Sequence, residues 1–289
     1  MMTQEYIDIA APIAFNSSYL GWRAASSYNT DLHNNGSVLW ETYYWKLVAT
    51  YLRIMHQSPI LLATPHGMST PIPGSTYQDV YDSQLAFLEA HVWDKWHAKG
   101  STSIYRANTH MTVHWARIGM EMHIITGESK YKEVFDNISF AGHPSGSYQG
   151  ESLRGQILNN PSVPSAYLWD QDWGGTGPGW QDTYHLSDTI SFLILAYENG
   201  YYWDMDDMLA LVSLYDDVIF LPGDGANIRL YMDGSGGYDV AKRLRDGGKI
   251  GRFDPTLSAR ISSQYISNAD VQSFYGTQHL SIATLNKFL

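Results

Sequence analysis

The chain has 289 residues, with 29 acidic against 18 basic side chains and a net charge of −11. That length leaves room for a sizeable core, and that charge has the wrong sign for a surface wrapped on nucleic acid, so any polyanion needs a local basic patch. Charged residues reach only 16 % while aromatic ones reach 14 %, which excludes a disordered chain, and zero cysteines exclude disulfides and thiolate metal sites.

Residues 37–56 carry Trp40, Tyr43, Tyr44, Leu47, Tyr51, Leu52 and Met55, a helix so apolar all round that packing on several sides is expected. Pro71, Pro73 and Gly74 break the chain, and Ser75 with Gln78 forms a capping-box signature for a helix running to about Gly100. A third helix opens at Asn108 or Thr109 and stops at Gly127, a short fourth covers 129–137, and Asp182 or Thr183 opens a fifth that ends before Gly200. Asp204 caps a sixth, stopped by Pro222, and residues 277–288 read as another. Two long irregular stretches intervene, the Gly- and Pro-rich 141–181 and 221–251, the latter with a hairpin around 228–232. Few segments alternate as strands do, so the expectation is an all-α fold in a single domain over residues 1–289.

Residues 1–16 lack a basic region followed by an apolar run, so no signal peptide is expected. The most apolar segment, 190–196, is a third of the ~20 residues a spanning helix needs. A soluble protein with no membrane partner follows, with an extracellular or virion-associated location left open.

Two helix starts carry the first chemical signal. Asn108-Thr109-His110 and Asp182-Thr183-Tyr184-His185 each place a capping residue just before a histidine. A helix start offers unpaired N–H groups and partial positive charge, which attract a carboxylate, so two such ends at one cleft suit an acid sugar. Simple capping is the plainer alternative. His110, His114, Arg117 and Glu121 continue as one polar stripe beside apolar Met111, Trp115, Ile118, Met122 and Ile125, which suggests a lumen or cleft. His110 and His114 lack the intervening Glu of the zinc motif, and neither a metal nor any cofactor is expected.

Trp169, Trp173 and Trp180 crowd into twelve residues with Asp170, Gln171, Asp172 and four glycines. Indoles stack on the C–H faces of sugars while Asp and Gln bond their edges, so the loop suits glycan binding; rings that pin the loop onto helices are the alternative. Lys242, Arg243, Arg245, Lys249, Arg252 and Arg260 place six of the 18 basic residues in nineteen positions, the place to hold a polyanion unless they form only a solvated face. The glycines at 234, 236 and 237 lack the Lys and Ser/Thr of a phosphate loop and read as a turn, while Asp206, Asp207, Asp216 and Asp217 are expected to face solvent.

The aromatic helix at 40–55, the Asn108-Thr109-His110 helix ending in Ile124-Ile125-Thr126-Gly127, and the Tyr184-His185 helix ending in Glu198-Asn199-Gly200 resemble helical-hairpin units of α/α toroids over roughly 37–221. Among enzymes on that scaffold the chain most resembles polysaccharide lyases acting on alginate and related uronic-acid polymers. The resemblance implies an (α/α) toroid or incomplete barrel, an anionic polysaccharide substrate, and cleavage by β-elimination without a cofactor. It implies Asn108 and His110 as carboxylate-neutralising groups, although Thr109 separates them where the family has neighbours, and Tyr184 and His185 as base and acid. His114, Arg117, Trp173 and Trp180 would bind substrate. The family's arginine is assigned to Arg252 or Arg260, with Tyr265 as a second possible tyrosine. A glycoside hydrolase using carboxylates among Glu151, Asp170, Asp172 and Asp182, a C5 epimerase and a non-catalytic glycan-binding protein are the competing readings.

Overall fold

The computed structural model describes residues 2–22, 36–67, 74–175, 179–220, 227–267 and Asn286, and the side chains of all of these except 2, 238–243 and 264–267. The described chain is mostly helical, with three two-stranded antiparallel ribbons of two or three residues per strand. It forms two compact units, one of Met1–Arg106, His114–Asn137 and Pro144–Ser147, the other of Ala107–Val113, Ile138–His143 and Tyr148–Leu289.

In the first unit, α1 (Met2–Asp8) and the ribbon β1 (Ala11–Pro12) with β2 (Leu20–Gly21) precede α2 (Val38–His56) and the single turn α3 (Pro59–Leu62). Ser37 caps α2 by accepting from the Trp40 N–H. The next helix, α4 (Tyr77–Leu88), passes through a π-turn at Glu89–Trp93 into α5 (Asp94–Lys99) and ends at Gly100, as its sequence predicts. Its capping box is Thr76 with Asp79, not Ser75 with Gln78: the Thr76 side chain accepts from the Asp79 N–H, and the Asp79 carboxylate takes the Thr76 and Ser75 N–H groups. A one-residue shift moves the cap because Asp79 is an ionised acceptor that gathers two donors at once. The single turn α6 (Ser101–Ile104) leads to α7 (Thr109–Thr126), whose first residues, to Val113, count with the second unit, and α8 (Ser129–Asp136) follows with a further π-turn, Asn137–Ala141, which from Ile138 on also counts with the second.

Aromatic rings fill this unit's core. Trp45 stacks on Phe87 at 5.4 Å, and Trp93 meets Trp115 at 5.8 Å and Tyr131 at 4.7 Å, edge to face in both cases. A Cβ at Gly119 would lie 2.6 Å from the Tyr131 carbonyl oxygen, so only glycine lets α8 lie this close to α7. Within this core sits a buried ion pair. Lys95 Nζ lies 2.6 Å from Glu41 Oε2 and donates to the Leu20 carbonyl, while Trp96 Nε1 donates to the same carboxylate at 2.7 Å. Burial pushes the Glu41 carboxyl up, and Lys95 and Trp96 oppose it. The pair ties β2 to α2 and α5.

Contrary to its all-round apolar sequence, α2 is not packed on every side. Trp40, Leu47, Tyr51 and Ile54 are each about half exposed, while Glu41 and Lys46 are buried. The helix turns charges inward and part of its apolar surface outward.

The second unit contains α9 (Leu153–Gln156), the ribbon β3 (Leu158–Asn159) with β4 (Tyr167–Leu168), α10 (Thr183–Glu198), α11 (Met205–Ser213) with a π-turn at Leu214–Ile219, the ribbon β5 (Asn227–Arg229) with β6 (Tyr238–Val240), a 3₁₀ segment Ala241–Phe253, and α12 (Pro255–Ser267). The first of the two long irregular stretches therefore holds a helix turn and a ribbon, and the second holds the expected hairpin. Asp204 caps α11 in a reciprocal box with Asp207. Asp207 does not face solvent: it is 3 % exposed and accepts from Arg154 at 2.7 and 2.8 Å and from the Tyr167 hydroxyl at 2.7 Å, joining α9, β4 and α11. The 3₁₀ segment packs along α10, where a Cβ at Gly247 would lie 2.1 Å from the buried Tyr215 hydroxyl. The expected helix over 277–288 lies outside the described residues except Asn286, whose Nδ2 donates to the Gly248 carbonyl.

Replacing Glu41 by Ala leaves Lys95 charged in the core, and the expected loss is about 3–5 kcal/mol of unfolding free energy. The double variant Glu41→Met/Lys95→Met removes both charges and should lie closer to wild type in urea denaturation. An additive double variant would show that the pair is not coupled.

Candidate functional site

The second unit brings the two predicted helix starts together by means of an extended ribbon. The Trp173 N–H donates to the Ala107 carbonyl at 3.0 Å and the Thr109 N–H to Gln171 at 2.8 Å. Gln171 N–H reaches Gly179, Gln181 N–H reaches Trp169, and the Met232 N–H returns to Gln181, while Thr183 N–H takes the Leu230 carbonyl. Segments near 107–109, 169–173, 179–183 and 230–232 thus lie side by side, and the starts of α7 and α10 are both tied into them. The Thr109 hydroxyl adds a bond to the Asp170 carbonyl, and the Thr183 hydroxyl one to Arg229.

Those ties bring His110 and His185 face to face, their rings 4.2 Å apart and 25° from parallel. His110 is 3 % exposed, whereas the His185 side chain is 36 % exposed. Asp182 does two jobs. Its Oδ1 accepts from the Tyr184 and His185 N–H groups at 3.1 and 3.2 Å and so caps α10, while its Oδ2 lies 2.6 Å from His185 Nδ1. Burial pushes the Asp182 carboxyl up, but bonds from His185 and the charges of His185 and His110 outweigh this and hold it below the ordinary carboxylate value. An ionised Asp182 can only accept, so Nδ1 of His185 carries a proton, and in the neutral ring the lone pair is left on Nε2. A base oriented by a carboxylate is the arrangement general-base catalysis needs.

Tyr184 stands edge-on to His185 at 5.1 Å, with the Arg245 guanidinium 4.6 Å above its ring. Arg245 also lies 3.8 Å from Asp188 and holds a left-handed backbone (φ +40°), a strained conformation for an arginine. In the sequence Arg245 is one of six cations in the basic run, with nothing to set it apart; only the fold puts it beside Tyr184.

The remaining expected site residues fall differently. The Asn108 amide donates to the Asp172 carboxylate. Trp173 does not present a stacking face: it is 2 % exposed, its Nε1 donates to Thr112 at 3.2 Å, and His143 packs against it at 4.7 Å. Trp169 is fully buried and Trp180 half-buried, so two of the three indoles pin the ribbon to the unit's core. The basic run is not an open patch either. Arg252 pairs with Glu198, Arg260 with Asp216, Lys249 lies 3.6 Å from Asp246, and Arg245 faces Asp188. Four of its six cations therefore meet carboxylates within the unit. Lys242, Arg243 and the side chain of Tyr265 lie outside the described side chains.

His114 and Arg117 belong to the first unit, at 1 % and 5 % exposure, and form a buried polar seam with α2 rather than an open lumen. Lys46 Nζ lies 2.9 Å from His114 Nε2, and His114 Nδ1 lies 3.2 Å from the Thr42 hydroxyl, which itself donates to Leu39. A lysine ammonium has only donors, so Nε2 accepts and Nδ1–H points to Thr42. Further along, Arg117 donates to Thr50, Thr50 to Glu121, and Arg53 to Glu121 at 2.6 Å. Among the described residues no group of three or more His, Asp or Glu is placed to hold a metal ion, and no helix is long and apolar enough to cross a membrane.

Compared with protein-family models, with curated proteins and with solved structures, the chain has no match.

Burial lowers the pKa of His143 from 6.5 to about 4. The unfolded chain takes up this proton first, so the stability it contributes is complete above pH 6.5 and drains away as pH falls towards 4. Urea midpoints measured through that window should fall less steeply in His143→Gln than in wild type; equal slopes would remove His143 as the cause.

Proposed function

We propose that the chain is a polysaccharide lyase that cleaves a uronic-acid polymer, alginate first among them, by β-elimination on an (α/α) toroid of helical hairpins. The observation that carries the reading is the Asp182–His185–His110 assembly at two converging helix starts, with Tyr184 beside it under Arg245. The mostly helical build supports the scaffold.

Elimination removes the C5 proton next to the uronate carboxylate, forms the C4–C5 double bond from that electron pair, and expels the C4 oxygen, which needs a proton. His185, oriented through Nδ1 by Asp182, takes the C5 proton at Nε2. Tyr184 gives its proton to the departing oxygen. His110 and Arg245 offset the charge that develops on the carboxylate, and the Asn108 amide, with one of its two N–H donors on Asp172, contributes the other. The substrate is the anionic polysaccharide; nucleic acid and membranes are not partners in this reading, and the chain acts as a soluble protein.

The test is the ultraviolet absorbance of the unsaturated uronate on incubation with alginate, glucuronan, hyaluronan and pectate. His185→Ala and Tyr184→Phe should each lower kcat by about 10²-fold or more, and Asp182→Asn should lower it by loss of the oriented tautomer. Full activity in all three variants would end the assignment.

One observation favours a hydrolase instead. Burial, together with the Asp172 charge, pushes the Asp170 carboxyl above its ordinary value, as a general acid requires. Reducing ends released without ultraviolet absorbance, and lost in Asp170→Asn, would choose that reading over the lyase.

A further inference from the structure

The outward face of α2 has a regular pattern. Trp40, Tyr44, Leu47, Tyr51 and Ile54 follow one another at spacings of four, three, four and three, the seam along which one helix packs against another. Four of the five are exposed, at 54, 51, 47 and 49 % for Trp40, Leu47, Tyr51 and Ile54. Tyr44 is half-buried, with Tyr6 of α1 stacked on it at 4.7 Å, and Tyr6 is itself 42 % exposed. None of the five carries a charge, whereas Glu41 and Lys46 on the same helix point into the core. A helix that already buries Val38, Trp45, Val48, Ala49, Leu52 and Met55 and still carries a second apolar seam on its solvent side is built for a second contact there.

We propose that this contact is a second copy of the chain, docked antiparallel through α2 about a two-fold axis at Leu47. The sequence is close to self-complementary about that point. Leu47 meets its own symmetry mate and Trp40, seven residues before it, faces Ile54, seven after it, while Tyr44 and Tyr51, three before and four after, interleave on either side of the axis. The Trp40 ring thus meets a smaller aliphatic chain, and none of the five seam residues brings a charge to the axis. The exposed parts of Trp40, Leu47, Tyr51, Ile54 and Tyr6 come to roughly 500–550 Å² per chain, so two copies bury at most roughly 1,000–1,100 Å², just above the ~1,000 Å² a specific interface must clear and in the range of weak, concentration-dependent dimers. The dimer does not depend on the proposed lyase activity, since none of these residues belongs to that site.

Sedimentation equilibrium over a hundredfold range of concentration tests it. Wild type should run at twice the mass of one chain at the upper end, and Leu47→Glu, which sets like charges against each other across the axis, should weaken the dimer at least 100-fold with its helical circular dichroism unchanged. Mixing Leu47→Glu with Leu47→Lys should restore a dimer containing one of each. Tyr51→Lys is the second variant should Leu47→Glu lose its helical signal, and it too should be monomeric. A wild type that stays a single chain throughout, or a dimer indifferent to folded variants at both positions, overturns the proposal.

Discussion

The candidate site depends on the backbone hydrogen bonds that tie the starts of α7 and α10 into one extended ribbon. A helix start leaves N–H groups that must find acceptors, and an isolated start can point anywhere. Here the Thr109 and Thr183 N–H groups are both taken by ribbon carbonyls, and both threonine hydroxyls reinforce them. The two imidazoles are therefore positioned by main chain, which is stiffer than any side-chain contact. Trp169 and Trp173 serve that stiffness. Their rings lie in the core beneath a glycine-rich turn that could not anchor itself, so the aromatic content of the loop holds the histidines in place.

Polar groups inside this protein do structural work wherever they are paired. Lys95 with Glu41 joins three elements, Asp207 gathers Arg154 and Tyr167, and the seam of Thr42, Lys46, Thr50 and Arg53 against His114, Arg117 and Glu121 runs through an otherwise apolar packing. Each such group would cost several kcal/mol if buried alone, so the arrangement specifies register: sliding α2 by one residue would strand several charges at once. The same requirement turns Glu41 and Lys46 inward and leaves Trp40 and Leu47 outside.

Helices with strong punctuation were legible in the sequence. Ser37, Asp182 and Asp204 cap where their residue types suggest, and Gly100 and Gly127 stop helices, because capping is a local matter of one side chain and a few N–H groups. The start of α12 is marked only by Asp254, which accepts from the Leu257 N–H, and by Pro255, a weak local signal inside a run whose strongest pattern is its basic charge. Burial was less legible than secondary structure. An exposed Trp and a buried Trp look alike in a sequence, and Trp173 against Trp40 shows that residue type alone does not tell a sugar platform from a core anchor. The pairing of His110 with His185 was legible as two similar helix starts; Arg245 was not, since its place depends on a kink in the 3₁₀ segment that no local signal announces.

Asp182 has a consequence beyond geometry. One carboxylate both closes the first turn of α10 and holds His185, so the orientation of the imidazole and the fraying of the helix draw on the same two oxygen atoms. Whatever occupies the His185 ring should slow deuterium uptake at the Tyr184 and His185 amides, which makes the opening of this turn an internal gauge of occupancy.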